Sequence, residues 1–328
     1  MTDLFAPFLA TRRIVVLDGA LATELERRGA DLRDPLWSAR LLIERPELIR
    51  AVHDAYFAAG ADVAITATYQ ATFEGFARRG IDLAGAAALL QRAVTIATES
   101  RDAFWAETGN RRGRARPLVA ASVGPHGAFL NDGSEYRGDY ALDEAALVAW
   151  HRPRFDLLAR SGADLLACET IPCAKEARAL LRCLEAYPEV RAWVSFSARD
   201  QACISNGEVF AAVAAEIGAH AQVVAIGINC TAPQHIAPLV RAAKEVTTAR
   251  IVVYPNSGET WDAVEKQWVD TPTCGSFLDG ACAWHDAGAT VIGGCCRTTP
   301  DDIGALAAWA VALGHADNAP SAELEGRR

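Results

Sequence analysis

The sequence predicts a single closed (β/α)8 TIM barrel, and three observations carry that prediction. Short β-branched runs alternate with longer Ala- and Leu-rich amphipathic runs over nearly the whole chain. The short runs are apolar almost throughout, as strands are when helices cover both faces of a parallel sheet. Four of them share one entrance, a helix end followed by glycine and alanine: Gly60-Ala61, Gly162-Ala163, Gly218-Ala219 and Gly288-Ala289. Glycine just past a helix accepts the left-handed backbone of a C-terminal cap. The alternative, an open doubly wound sheet, asks for a Gly-x-Gly-x-x-Gly turn after the first strand, and the sequence has none there.

Taken in order, the predicted strands cover 14–17, 62–66, 118–122, 165–167, 192–196, 223–228, 251–254 and 290–292. The helical patterns between them cover 46–59, 83–104, 142–160, 175–187, 207–217, 234–246, 275–287 and 300–312. One barrel domain over residues 1–314 accounts for all of these, and the polar tail 315–328 is expected to fray.

Composition narrows the function classes. A chain of 328 residues with 51% hydrophobic content buries a large core. A net charge of −9 argues against non-specific nucleic-acid binding. The one basic run, Arg111-Arg112-Gly113-Arg114-Ala115-Arg116, reads as a solvated connector. The nine cysteines are odd in number, and the N-terminus has Asp3 where an export signal needs basic residues. No apolar stretch approaches the ~20 residues of a membrane span. The expectation is a soluble cytoplasmic protein, a monomer or small homo-oligomer, with no nucleic-acid or membrane partner.

In a barrel of this kind the chemistry lies where strands end. Those ends are polar here: Asp18-Gly19-Ala20, Thr68-Tyr69-Gln70, Cys168-Glu169-Thr170, Asn229-Cys230, Pro255-Asn256-Ser257 and Gly293-Gly294-Cys295-Cys296. Cys230 ends strand six and the Cys295-Cys296 pair ends strand eight, so the three thiols share one rim and can meet around a divalent ion. Thiolates suit Zn2+, and three protein ligands leave a fourth position open. Taken alone, Cys230 reads first as a small buried core thiol. The vicinal pair reads first as ligands, because the two preceding glycines let backbone approach a bound group. A redox dithiol lacks its Cys-x-x-Cys spacing. Cys168, Cys173, Cys183, Cys203, Cys274 and Cys282 have no partners at ligand spacing and are assigned to core or surface.

Asp18 and Glu169 would hold a substrate ammonium group, the other reading being helix-start or ion-paired carboxylates. The amides of Gly19 and Ala20, which open a helical segment, would receive a carboxylate. Asn229 and Asn256 are expected to line the substrate site. Tyr69 either approaches that site or is a rim aromatic. His126 is a further candidate contact on the third loop. No catalytic side chain is expected beyond the metal ligands.

Together these segments, with Ser122-Val123-Gly124-Pro125 and Tyr254-Pro255-Asn256-Ser257-Gly258-Glu259, resemble the zinc-dependent homocysteine S-methyltransferase family. The likeness runs in order from about Leu17 to Leu306, and the Asn-Cys plus Gly-Gly-Cys-Cys pair is its specific part. The resemblance implies a (β/α)8 barrel, Zn2+ on Cys230, Cys295 and Cys296, and the homocysteine amino group on Asp18 and Glu169. It implies that Tyr69 matches a tyrosine able to take the metal's fourth position when substrate is absent. Length and the Tyr-Pro-Asn-Ser-Gly-Glu segment are most similar to stand-alone members that take methyl from S-methylmethionine, with S-adenosylmethionine as the lesser donor, to make methionine. Selenocysteine- and betaine-type relatives share the architecture. A non-catalytic zinc- or thiol-sensing barrel is the rival from another class.

Overall fold

The computed structural model describes residues 3–32, 40–258, 260–262, 267–269 and 275–316. Eight strands form one sheet: β1 (Val15–Val16), β2 (Val63–Ile65), β3 (Leu118–Val123), β4 (Leu165–Ile171), β5 (Ala192–Phe196), β6 (Val223–Asn229), β7 (Arg250–Tyr254) and β8 (Val291–Ile292). Every pairing in that sheet is parallel, in the order β1-β8-β7-β6-β5-β4-β3-β2. The ends of this row meet. Leu17 bridges Val63, the Asp62 amide donates to the Val16 carbonyl at 2.7 Å, and the Asp18 amide donates to the Val63 carbonyl at 3.0 Å. The cylinder is therefore closed, as the sequence predicts.

Eight helices wrap it: α1 (Pro46–Ala59), α2 (Leu83–Ala106), α3 (Glu144–Ala159), α4 (Ala174–Leu184), α5 (Phe210–Gly218), α6 (Ile236–Lys244), α7 (Phe277–Ala287) and α8 (Pro300–Ala316). The last of these continues through His315 and Ala316, so the helix outruns the predicted start of the tail. Residues 317–328 and Cys274 lie outside the described residues.

Strand alternation divides the apolar side chains into two layers. Val15, Leu17, Val63, Ala120, Ala167, Trp193 and Tyr254 fill the cylinder, while Ile14, Val16, Val194 and Ile226 face the helices. A short helix, Ala6–Leu9, brings Phe5 and Phe8 into the inner layer. Its surroundings place it under the N-terminal strand ends, where Asp3 pairs with Arg250 at the start of β7. Nearby, Arg12 reaches Asp62 at 3.2 Å and Arg114 reaches it at 3.6 Å. Arg114 is thus drawn inward from the basic run expected in solvent, because the buried Asp62 carboxylate needs counter-charge.

Three of the four glycine entrances have the left-handed backbone expected of a cap: Gly60 at φ 117°, Gly162 at φ 88° and Gly288 at φ 120°. Gly218 instead ends α5, and a Cβ there would meet the Thr247 hydroxyl at 2.7 Å. Glycine is present at that position for close packing. The antiparallel ribbon of Thr260–Asp262 with Gln267–Val269 had no signal in the sequence reading. Among the described residues, no helix is long and apolar enough to cross a membrane.

Candidate active site

The C-terminal strand ends carry the polar residues that the sequence singles out. Cys230 directly follows β6, and Cys295 and Cys296 lie in the loop after β8. Cys230 Sγ and Cys295 Sγ each lie 3.9 Å from Cys296 Sγ, and all three sulfurs fall within 4.8 Å of one another. A tetrahedral ion with metal–sulfur bonds of about 2.3 Å holds its sulfurs about 3.8 Å apart. The spacing and the soft, all-thiolate donor set therefore fit Zn2+. In the metal-free protein the sulfurs share their protons unequally. Hydrogen bonds from Cys295, then Cys296 and the Tyr136 hydroxyl, hold Cys230 well below the ordinary thiol range. The same bonds and burial push Cys295 and Cys296 up.

The thiol loops are positioned by close backbone packing. The Cys295 amide donates to the Pro255 carbonyl at 2.7 Å, and the Ser257 amide donates to the Cys296 carbonyl at 3.1 Å. The Thr298 hydroxyl donates to the Cys295 carbonyl at 2.7 Å and accepts from the Ala20 amide at 3.1 Å. Tyr56 reaches the carbonyls of both Ala20 and Thr298. A Cβ on Gly293 would meet Leu17 Cβ at 2.5 Å, and one on Gly294 would meet the Thr298 hydroxyl at 2.3 Å. The glycine pair thus makes room for the exit of β1 and for Thr298, where the sequence reading had it make room for a bound group.

This changes the expectation for Ala20. Its amide is engaged by Thr298, so the Gly19–Ala20 segment ties the first loop to the eighth.

Asn229 is engaged at both ends of its amide. Its Nδ2 donates to Thr170 Oγ1 at 2.7 Å, while its Oδ1 accepts from the Thr170 amide at 2.8 Å and from Ser195 Oγ at 2.9 Å. From the end of β6 its side chain braces β4 and β5 as a strut. What it holds is unusual backbone, since Thr170 has φ 60° and Cys230 has φ 48°. A β-branched residue at positive φ persists only where its surroundings enforce it.

The carboxylates form an acidic wall. Asp18 is 3% exposed. Its Oδ2 accepts from the Ile65 amide at 2.8 Å, and its Oδ1 is buried with no partner. Burial first, and the Glu169 charge second, raise its pKa well above the ordinary carboxylate range. Glu169 lies in a register irregularity of β4 and is hydrogen-bonded by Ser122 and Tyr254. Burial still pushes its pKa up to about 7. Among the described residues, neither carboxylate has a Lys or Arg ion partner.

Tyr69 is half-buried, and its hydroxyl hydrogen-bonds Thr170. A second aromatic hydroxyl, that of Tyr136, lies 3.0 Å from Cys230 Sγ. His126 is turned away into a ring cluster with Phe129, Tyr140 and Trp150. Asn256 Oδ1 is buried and unpartnered.

A family model described as homocysteine S-methyltransferase matches residues 15–310. The chain belongs to the homocysteine S-methyltransferase family. Homocysteine S-methyltransferase YbgG of Bacillus subtilis is 53% identical over 305 residues, 93% of this chain and 97% of the relative. Homocysteine S-methyltransferase of Escherichia coli is 51% identical over 296 residues, 90% of this chain and 94% of the relative. Among solved structures, the metallated form of the Escherichia coli homocysteine methyltransferase MmuM aligns with a TM-score of 0.83 at 48% identity, covering 93% of this chain and 99% of that one. The apo form of the same enzyme aligns with a TM-score of 0.75.

The sequence reading missed Glu135 and Tyr136 of this family member. They lie in the short turn Ser134–Tyr136 within a Gly- and Asp-containing loop after β3, a composition that signals only a solvated connector. Ser122 and Tyr254 enter the sequence reading only inside family-like segments, with no role of their own, and Ser195, inside β5, reads as an ordinary strand residue.

Proposed function

We propose that this chain is a zinc-dependent homocysteine S-methyltransferase. It moves a methyl group from a sulfonium donor, S-methylmethionine or S-adenosylmethionine, to the thiol of homocysteine and so forms methionine. The observation that supports this most is the meeting of three thiols, spaced for one tetrahedral ion, beside an acidic wall without counter-charge. Zn2+ bound there by Cys230, Cys295 and Cys296 would favour the thiolate form of an incoming thiol and leave it electron-rich.

The chain's own residues do the rest. Asp18 and Glu169 receive the ammonium group of homocysteine, whose charge restores both carboxylates to their ionised forms. Ser122 and Tyr254 keep Glu169 aimed, and Asn229 keeps the β4 and β6 ends in place. The negative field of the site draws a cationic donor. The homocysteine sulfur then takes the methyl carbon in line, and the donor leaves as a neutral thioether. Alignment of the two sulfurs supplies much of the rate gain, with no protein base assigned.

The test uses zinc-loaded protein with homocysteine and each sulfonium in turn, read by methionine formation. Cys296→Ala should fold, bind less than stoichiometric zinc and lose methyl transfer. Full activity in that variant would defeat the assignment. Stoichiometric zinc with no methionine from any sulfonium would instead indicate a non-catalytic zinc barrel.

A further inference from the structure

Asp18 and Glu169 come from the first and fourth strand ends, but a third carboxylate, half-buried and within electrostatic reach of Cys230, comes from the loop after β3. The backbone of Glu135 is fixed from two sides. Ser197 Oγ donates to its carbonyl at 2.8 Å, and a Cβ on Gly127 would meet its amide nitrogen at 2.4 Å. The next residue, Tyr136, places its hydroxyl 3.0 Å from Cys230 Sγ, so the turn is held against the metal centre. Within it, Glu135 Oε2 is buried and has no hydrogen-bond partner.

The nearest candidate counter-ion is committed elsewhere. Arg137 donates to Asp139 at 3.0 Å, lies 3.8 Å from Asp132 and bonds the Asp132 carbonyl at 3.0 Å. Burial pushes the Glu135 pKa up to about 7, and the charge of Cys230 adds to that rise. The carboxylate also acts on Tyr69, whose hydroxyl bonds Thr170 beside Glu169, so it lies near that ring. A buried carboxylate without a partner is costly unless a cation comes to it.

We propose that Glu135 is a specificity-determining residue for the methyl donor: its carboxylate receives the ammonium group of a sulfonium amino acid. This rests on the methyl-transfer reading above. A donor of that class carries two positive charges. Its sulfonium must face the homocysteine sulfur, so its ammonium needs a separate acceptor. Asp18 and Glu169 are occupied by the homocysteine ammonium, and Glu135, with its buried and unpartnered Oε2, is the further carboxylate at the thiols among the described residues. Donors whose cationic centre stands alone would gain nothing from it.

The experiment compares zinc-loaded wild type with Glu135→Gln and Glu135→Asp. The donors are S-methylmethionine and its deamino counterpart, the dimethylsulfonium of butyrate, the latter also read as a competitive inhibitor. Removing one partner of a buried charged pair costs about 30-fold or more in binding. Glu135→Gln should therefore lose about that factor in kcat/KM for S-methylmethionine. Its KM for homocysteine and its affinity for the deamino compound should stay within about twofold. Glu135→Asp, with the carboxylate drawn back by one methylene, should fall between. Equal losses with both compounds, a raised homocysteine KM or unchanged donor kinetics would each overturn the proposal. A wild type that makes no methionine from any sulfonium would instead bring down the methyl-transfer reading itself, so the two failures are distinguishable.

Discussion

Replacing Asn229 with alanine tests whether that residue is a strut or a substrate contact. Three buried hydrogen bonds disappear, two to Thr170 and one to Ser195. Each is worth about 1 kcal/mol net, and the Thr170 amide, left buried without a partner, adds about 1–3 kcal/mol. Some of this returns as strain relief, since Thr170 at φ 60° stores about 1–3 kcal/mol that it can release once unclamped. The net loss is about 3 kcal/mol, which for a chain of this size lowers Tm by about 5 °C and leaves it folded.

Cys230 directly follows the removed side chain and has its own positive φ, so the variant should also hold zinc at least tenfold more weakly against a competing chelator. The assays are thermal unfolding, chelator competition, and KM for homocysteine under zinc saturation. A strut lowers Tm and metal affinity together, with little change in KM once zinc is saturating. A variant as stable as wild type, with normal zinc affinity and a raised KM, would refute the strut and restore Asn229 as a substrate contact.

Two further outcomes follow from the same structure. Glu169 has a pKa raised from the ordinary 4.5 to about 7, which costs its ionised form in the folded state about 3 kcal/mol. The stability it lends is fully present below pH 4.5 and is lost as pH rises through 7. Buried His53, His126 and His151 have lowered pKa values and act in the opposite direction over much of that window, so the measurement is a difference. Metal- and substrate-free Glu169→Gln should gain about 3 kcal/mol on wild type between pH 5 and pH 8, and a pH-independent gap by urea unfolding would contradict it. At the other end of the cylinder, Phe8 is 3% exposed. Phe8→Ala should cost about 3–5 kcal/mol in unfolding free energy with zinc content and homocysteine KM unchanged. A change in either would mean that the plug and the site are coupled.

The fold was legible because each level of the sequence agreed with the next. All eight predicted strands are present, and α1 has the predicted bounds, Pro46–Ala59. Continuous apolar runs and capping glycines are local signals, and a closed parallel sheet is the architecture that buries such runs on both faces. What escaped lies where local signals are weak. The helix Ala6–Leu9 has four residues and is defined by the barrel floor that it covers. Gly218 has the sequence context of its three counterparts but a packing role, which only the neighbouring Thr247 reveals. Arg114 looks solvated in its basic run until the buried Asp62 is placed beside it.

The site divides along the same line. The meeting of Cys230, Cys295 and Cys296 was readable because side chains that share a site must occupy strand ends on one rim, and strand ends can be counted in the sequence. Their partners were not readable, because what makes Asn229 a strut is the positive φ of Thr170 and the nearness of Ser195, both tertiary facts. The same reasoning explains why Tyr69 was noticed and Tyr136 was not. Tyr69 follows a strand, whereas Tyr136 lies thirteen positions beyond Val123, the end of β3, on a loop that must fold back before its hydroxyl meets Cys230. Strand ends give the three thiols a fixed seat. A returning loop, held by Ser197 and the missing Cβ of Gly127, is where a barrel can vary its choice of methyl donor without disturbing that seat.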